Sequence, residues 1–79
     1  MSFGGMIKPK TKFQKWVYEN MYKNDLSMTD ISQKLHTTKQ TISYQYKKGK
    51  NISYVNILGY CKVFGYDNPD EIYEYLSTS

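Results

Sequence analysis

A chain of 79 residues has room for one domain, and at this size folding buries only about 60% of the surface that the unfolded chain exposes, so one modest core is the limit. With one cysteine, Cys61, and one histidine, His36, neither an internal disulfide nor a structural zinc site can form. No apolar stretch approaches the roughly 20 residues that cross a bilayer, and the amino end has no secretory apolar core, so the expectation is a cytoplasmic protein with no membrane and no small-molecule partner.

The formal charge of +4 conceals an asymmetry. Residues 1–50 carry ten lysines against Glu19, Asp25 and Asp30, a formal +7, whereas residues 51–79 carry Lys62 against Asp67, Asp70, Glu71 and Glu74, a formal −3. A basic body suits a polyanionic partner; a lysine-rich solvated surface is the plainer alternative. All eleven cations are lysine. Lysine is a point charge for phosphate and lacks the planar fork with which arginine reads guanine, so any base reading must rest on lysine, glutamine, threonine and tyrosine.

Residues 1–9 show no pattern and read as a disordered tail or expression scar, leaving residues 10–79 as a single domain. From Thr11, the residues Phe13, Trp16, Val17 and Met21 recur at helical spacing, predicting a first helix that ends near Asn24-Asp25. Ser27-Met28-Thr29-Asp30 is a capping box, with Ser27 accepting from the amide near Asp30 and Asp30 reaching back to Ser27. Ile31 and Leu35 then give a second helix its inward stripe, and Ser32 is small enough to let another helix approach. Thr37 or Thr38 caps a third helix, with Gln40 placed to close a box on Thr37. That helix runs to about Lys47, with Ile42 as its clear core residue, Tyr44 and Tyr46 as either surface or partial core, and Gly49 as its stop.

Ser53 opens a fourth helix, buried through Ile57, Cys61 and Phe64 and ended by Gly65. Asn68-Pro69-Asp70-Glu71 opens a fifth: a side-chain cap, proline at the first position and two acids on the positive end of the helix dipole. It is expected to be buried through Ile72 and Leu76. The fold class is therefore all-α with five helices.

Leu26-Ser27-Met28-Thr29-Asp30-Ile31-Ser32-Gln33-Lys34-Leu35-His36-Thr37-Thr38-Lys39-Gln40-Thr41-Ile42-Ser43, followed by Gly49-Lys50, resembles the helix-turn-helix of the phage Cro and CI repressor family, the xenobiotic-response-element type. Phe64-Gly65 is similar to the end of that family's fourth helix, so the likeness spans about Trp16 to Leu76. It implies a five-helix lambda-repressor-like DNA-binding domain with helices 2 and 3 as the helix-turn-helix. The length, the tyrosine-rich and arginine-free composition and the acidic tail also resemble the small antirepressors of temperate lactococcal phages.

The resemblance implies that Thr38, Lys39, Gln40, Thr41 and Tyr44 face a partner or DNA and that Lys47, Lys48 and Lys50 hold phosphate. Thr37 and Lys47 extend the candidate face, and Asp30, Gln33 and Ser43 join it because contact with another basic, DNA-reading face calls for acidic and uncharged groups. Gln40 has the groups for a bidentate pair with adenine, and Lys39 for guanine or phosphate. The three lysines are equally a solvated helix end favoured by the dipole. The sequence departs from the family in three places. Met28 stands where many members have a phosphate-gripping glutamine. His36 stands where the turn usually has glycine, because of a positive φ. The stretch from Ile42 to Gly49 is about one residue longer than usual, with Gln45 near a position that is often apolar.

Two readings follow from the resemblance. The first is an antirepressor of the lysis/lysogeny switch in the host bacterial cytoplasm, whose helix-turn-helix face binds the DNA-binding domain of a cognate CI-type repressor. The second is a Cro-like homodimer on double-stranded operator DNA, with half-sites about one helical turn apart; operator DNA bound together with the repressor lies between them. An interaction module unrelated to transcription is a third. Catalysis is not expected. Cys61 falls on an apolar helical stripe, Asp70, Glu71 and Glu74 line a helix start and its outer face, and the glycines form no phosphate-cradling loop. No cofactor or metal is called for.

Overall fold

Four Ser or Thr residues punctuate the chain ahead of its helices, and each accepts a hydrogen bond from a first-turn amide. A computed structural model describes residues 7–78. They form α1 (Lys12–Asn24), α2 (Met28–Lys34), α3 (Lys39–Lys48), α4 (Tyr54–Phe64) and α5 (Pro69–Ser77), with no strand among the described residues. Thr11, Ser27, Thr38 and Ser53 accept from the amides of Gln14, Asp30, Thr41 and Asn56, and each such cap contributes about 1 kcal/mol.

The stops are equally local. Asp25, Gly49 and Gly65 adopt the left-handed conformation at φ 54°, 70° and 89° and close α1, α3 and α4. His36 sits at φ 55° between α2 and α3, as a glycine-like turn requires; histidine enters that region more readily than most side chains. Its amide bonds the Gln33 carbonyl and the next amide, of Thr37, bonds that of Ser32.

The core gathers Phe13, Trp16, Val17 and Met21 from α1, Met28 and Ile31 from α2, Ile42 and Tyr46 from α3, and Ile57, Tyr60, Cys61 and Phe64 from α4. Ile31, Ile42 and Ile57 are at most 1% exposed, a burial that stabilises by roughly 1.5–3 kcal/mol each. Ser32 is buried, in keeping with the close approach of α2 and α3, which pack more extensively than any other pair. Leu35 is half-buried against the α4 backbone at Gly59, where a Cβ would lie 3.1 Å from a Leu35 methyl. Burial pushes the Cys61 thiol up, the setting of a small core residue.

Three sequence expectations are corrected. The Asn68 side chain does not cap α5 but donates to the Glu71 carboxylate at 3.1 Å. No residue of α5 is fully buried; Ile72 and Leu76 lie half-covered against the core, because α5 lies over α4 at the edge of the core. The Thr37–Gln40 box does not form, since Thr38 takes the cap position. Of the residues expected to lie outside the domain, 1–6 fall outside the described residues, while Ile7 accepts a hydrogen bond at its carbonyl from the Tyr46 hydroxyl at 2.8 Å.

No described helix is long and apolar enough to cross a membrane.

Candidate functional site

A surface helix shows which of its faces is offered outward by where the chain spends its apolar side chains. On α3 these are Ile42 and Tyr46, both 1% exposed, with Gln45 half-buried beside them. The Tyr60 hydroxyl, buried against the same side, donates to Gln45 Oε1 at 2.6 Å, so a polar residue at a position expected to be apolar is paid for by one internal hydrogen bond. Gln40, Tyr44 and Lys47 fall on the opposite side at i, i+4 and i+7, a spacing that aligns side chains on one ridge. All three are exposed, Tyr44 by 66%.

The remaining predicted residues divide around this ridge. Lys39 is exposed beside Gln40, and Ser43 and Thr41 are half-buried at its margins. Thr38 is exposed but its hydroxyl is engaged, accepting from the Thr41 amide at 3.2 Å and paired with the Thr41 hydroxyl at 3.0 Å. Gln33 at the end of α2 and Thr37 in the turn are exposed next to the α3 start. Asp30 is committed to the fold: the Ser27 amide and hydroxyl donate to its Oδ2 at 2.9 and 3.0 Å, and these bonds hold its carboxyl below the usual range. Its Oδ2 is thus held at the α2 start.

Lys47 and Lys48 occupy the last turn of α3, where the negative end of the helix dipole favours cations. Lys50 lies past the Gly49 stop and is separated from Lys39 by the helix length of about 15 Å. It lines a groove of about 780 Å³ between the start of α1, the loop ahead of α4 and the end of α5. The structure thus joins Lys39, Gln40, Tyr44 and Lys47 on one surface and sets Lys50 at its far end. The first turn of α3 holds no acid, so its free amides and Lys39 present a positive end.

Met28 is 8% exposed and belongs to the core. The Met28 side chain is therefore turned into the core rather than toward a phosphate, and the hydrophobic residue there supports packing. Sequence reasoning left Tyr46 undecided and missed Tyr60 and Gln14, all buried. The 3.6-residue spacing from Ile42 signals Tyr46 and that from Ile57 signals Tyr60; for Gln14 the signal was Thr11 three residues before it, the same box pattern read correctly at Ser27 and Asp30.

Among the described residues no group of three or more His, Cys, Asp or Glu side chains is placed to hold a metal. Comparison of the chain with protein-family models, with curated proteins and with solved structures gives no match.

Proposed function

We propose that α2 and α3 form a helix-turn-helix of the phage Cro and CI type within a lambda-repressor-like domain, and that the chain is a non-enzymatic regulator acting as an antirepressor. Its α3 face docks on the DNA-binding domain of a cognate CI-type repressor and blocks that domain's access to operator DNA. The observation that carries this reading is Tyr44: an aromatic side chain two-thirds exposed in the middle of a ridge whose ends are Gln40 and Lys47. Tyrosine is enriched in the cores of protein interfaces and among their energetic anchors. The buried Met28 and the absence of arginine support a surface less suited to phosphate and guanine than to protein.

The positive α3 start and Lys39, Lys47 and Lys48 favour a second reading, a Cro-like homodimer that binds operator DNA directly. A gel-shift titration of an operator duplex separates the two. Under the first reading the isolated chain gives no tight shift and releases the duplex from the repressor; under the second it shifts the duplex by itself, with affinity that falls steeply as salt rises.

A further inference from the structure

Gln14 is 4% exposed, yet it lies on α1 and far in sequence from the α3 surface. Both ends of its amide are used. Oε1 accepts from the Lys10 amide at 2.8 Å and the Thr11 amide at 3.2 Å, which closes the capping box of α1. Nε2 donates to the Tyr46 carbonyl at 2.9 Å and lies 3.5 Å from that of Lys47. These carbonyls belong to the last turn of α3, where a helix has no intrahelical donors of its own left to offer. Gly49 is fitted to the same amide: a Cβ there would stand 2.7 Å from Gln14 Nε2. A few residues upstream, the Ile7 carbonyl receives the Tyr46 hydroxyl, so the segment ahead of α1 is held to α3 through both Gln14 and Tyr46.

We propose that Gln14 is a positioning residue for the α3 face, coupling residues 7–11 to the last turn of α3 and so fixing the direction in which Tyr44 and Lys47 are presented. A helix of ten residues capped at its start by Thr38 and anchored in the core by Ile42 and Tyr46 still needs its free carbonyl end held. No side chain of α3 itself supplies that donor, and Gln14 does. The inference rests on α3 being the docking face, and it adds that the chain before α1 is part of the presenting structure. A change in that segment reaches the outward ridge of α3 through Gln14 and the buried side of α3 at Tyr46.

Gln14→Glu separates the two halves of the arrangement. As a carboxylate, glutamate accepts from Lys10 and Thr11 as glutamine does, so the α1 cap survives, but it brings no donor to the Tyr46 and Lys47 carbonyls and sets a second oxygen against them. Hydrogen exchange on the isolated variant, at a pH that keeps the carboxylate ionised and where circular dichroism gives full helicity, should show amides in the last turn of α3 exchanging at least about tenfold faster, from one lost buried hydrogen bond and the carboxylate set against two carbonyls, with α1 amides unchanged. Binding to the purified DNA-binding domain of the CI-type repressor from the same genome should weaken by a similar factor. Uniformly faster exchange in all helices, or unchanged exchange in α3, overturns the proposal. Should the variant not fold, the wild-type chain decides: the Gln14 side-chain amide must exchange far more slowly than that of exposed Gln40, and equal rates overturn it. Failure of the docking reading is recognised separately, because Tyr44→Ala then leaves repressor binding intact while the exchange pattern of Gln14→Glu is as stated.

Discussion

The Tyr60 hydroxyl donates to Gln45 Oε1 at 2.6 Å, a bond between a buried phenol on α4 and the one amide side chain that α3 turns inward. It explains how α3 tolerates glutamine near a position expected to be apolar, and burial raises the phenol's pKa far above its ordinary range, so the hydroxyl stays a donor. Tyr60→Phe keeps the ring in the core and leaves Gln45 Oε1 without its donor. The expected cost is about 1–2 kcal/mol, or a drop in Tm of roughly 4–16 °C for a domain of this size, read by thermal denaturation.

Ser27 and Asp30 should control the acid side of stability. The Asp30 carboxyl is held low in the folded chain, first by the Ser27 amide and then by the Ser27 hydroxyl, whereas its unfolded value is about 3.9. A depressed folded value contributes stability that is complete above the unfolded pKa and lost as pH falls through the folded one. Asp30→Asn should therefore lower Tm at neutral pH and lose less than the wild type as the pH falls below the unfolded carboxyl value of about 3.9. Parallel acid melts of the two chains check this. Ser27→Ala should cost about 1 kcal/mol at neutral pH.

His36 tests the turn between α2 and α3. At φ 55° glycine is free of the Cβ strain that histidine bears, while a β-branched residue suffers more. His36→Gly should be neutral or gain up to about 1 kcal/mol, and His36→Val should lose about 1–2 kcal/mol. Chemical denaturation with matched m-values would measure both; equal stability of the glycine and valine variants would contradict the assigned backbone.

Much of the architecture was legible because its determinants are local. Ser27 with Asp30, Gly49 and Gly65 act within four residues, and a helix end reads the same in sequence and in space; the cap of α3 is open between Thr37 and Thr38 in the sequence and falls to Thr38. His36 was legible as a departure from a family pattern, and its positive φ is found. Tyr46 was left open because a tyrosine suits either face; its ring is buried while its hydroxyl reaches the Ile7 carbonyl. Asn68 was misread because its side chain found an acceptor in Glu71 and left the α5 amides. The capping role of Gln14 was legible in Thr11 three residues before it, but its bond to the Tyr46 carbonyl, 32 residues away, spans a distance over which composition and periodicity carry no signal.

The candidate surface divides in the same way. The resemblance sets Gln40 and Tyr44 outward, and on the observed α3 the exposed Gln40, Tyr44 and Lys47 fall at i, i+4 and i+7 along one ridge. Asp30 is expected at the interface as an acid able to meet a basic partner; its Oδ2 is taken up by Ser27, a commitment visible in the capping box itself. Lys50 is grouped with Lys47 and Lys48 by the resemblance, yet Gly49 turns the chain and leaves it lining the groove beside α1 and α5.

The central claim, that the outward ridge of α3 meets a macromolecular partner, is tested most directly by replacing Lys39, Gln40 and Tyr44 together with alanine and titrating the variant against the CI-type repressor's DNA-binding domain by calorimetry. None of the three is a core residue, so helicity and Tm should stay close to the wild type, while heat of binding disappears. A folded triple variant that binds the repressor as tightly as the unaltered chain would contradict the claim.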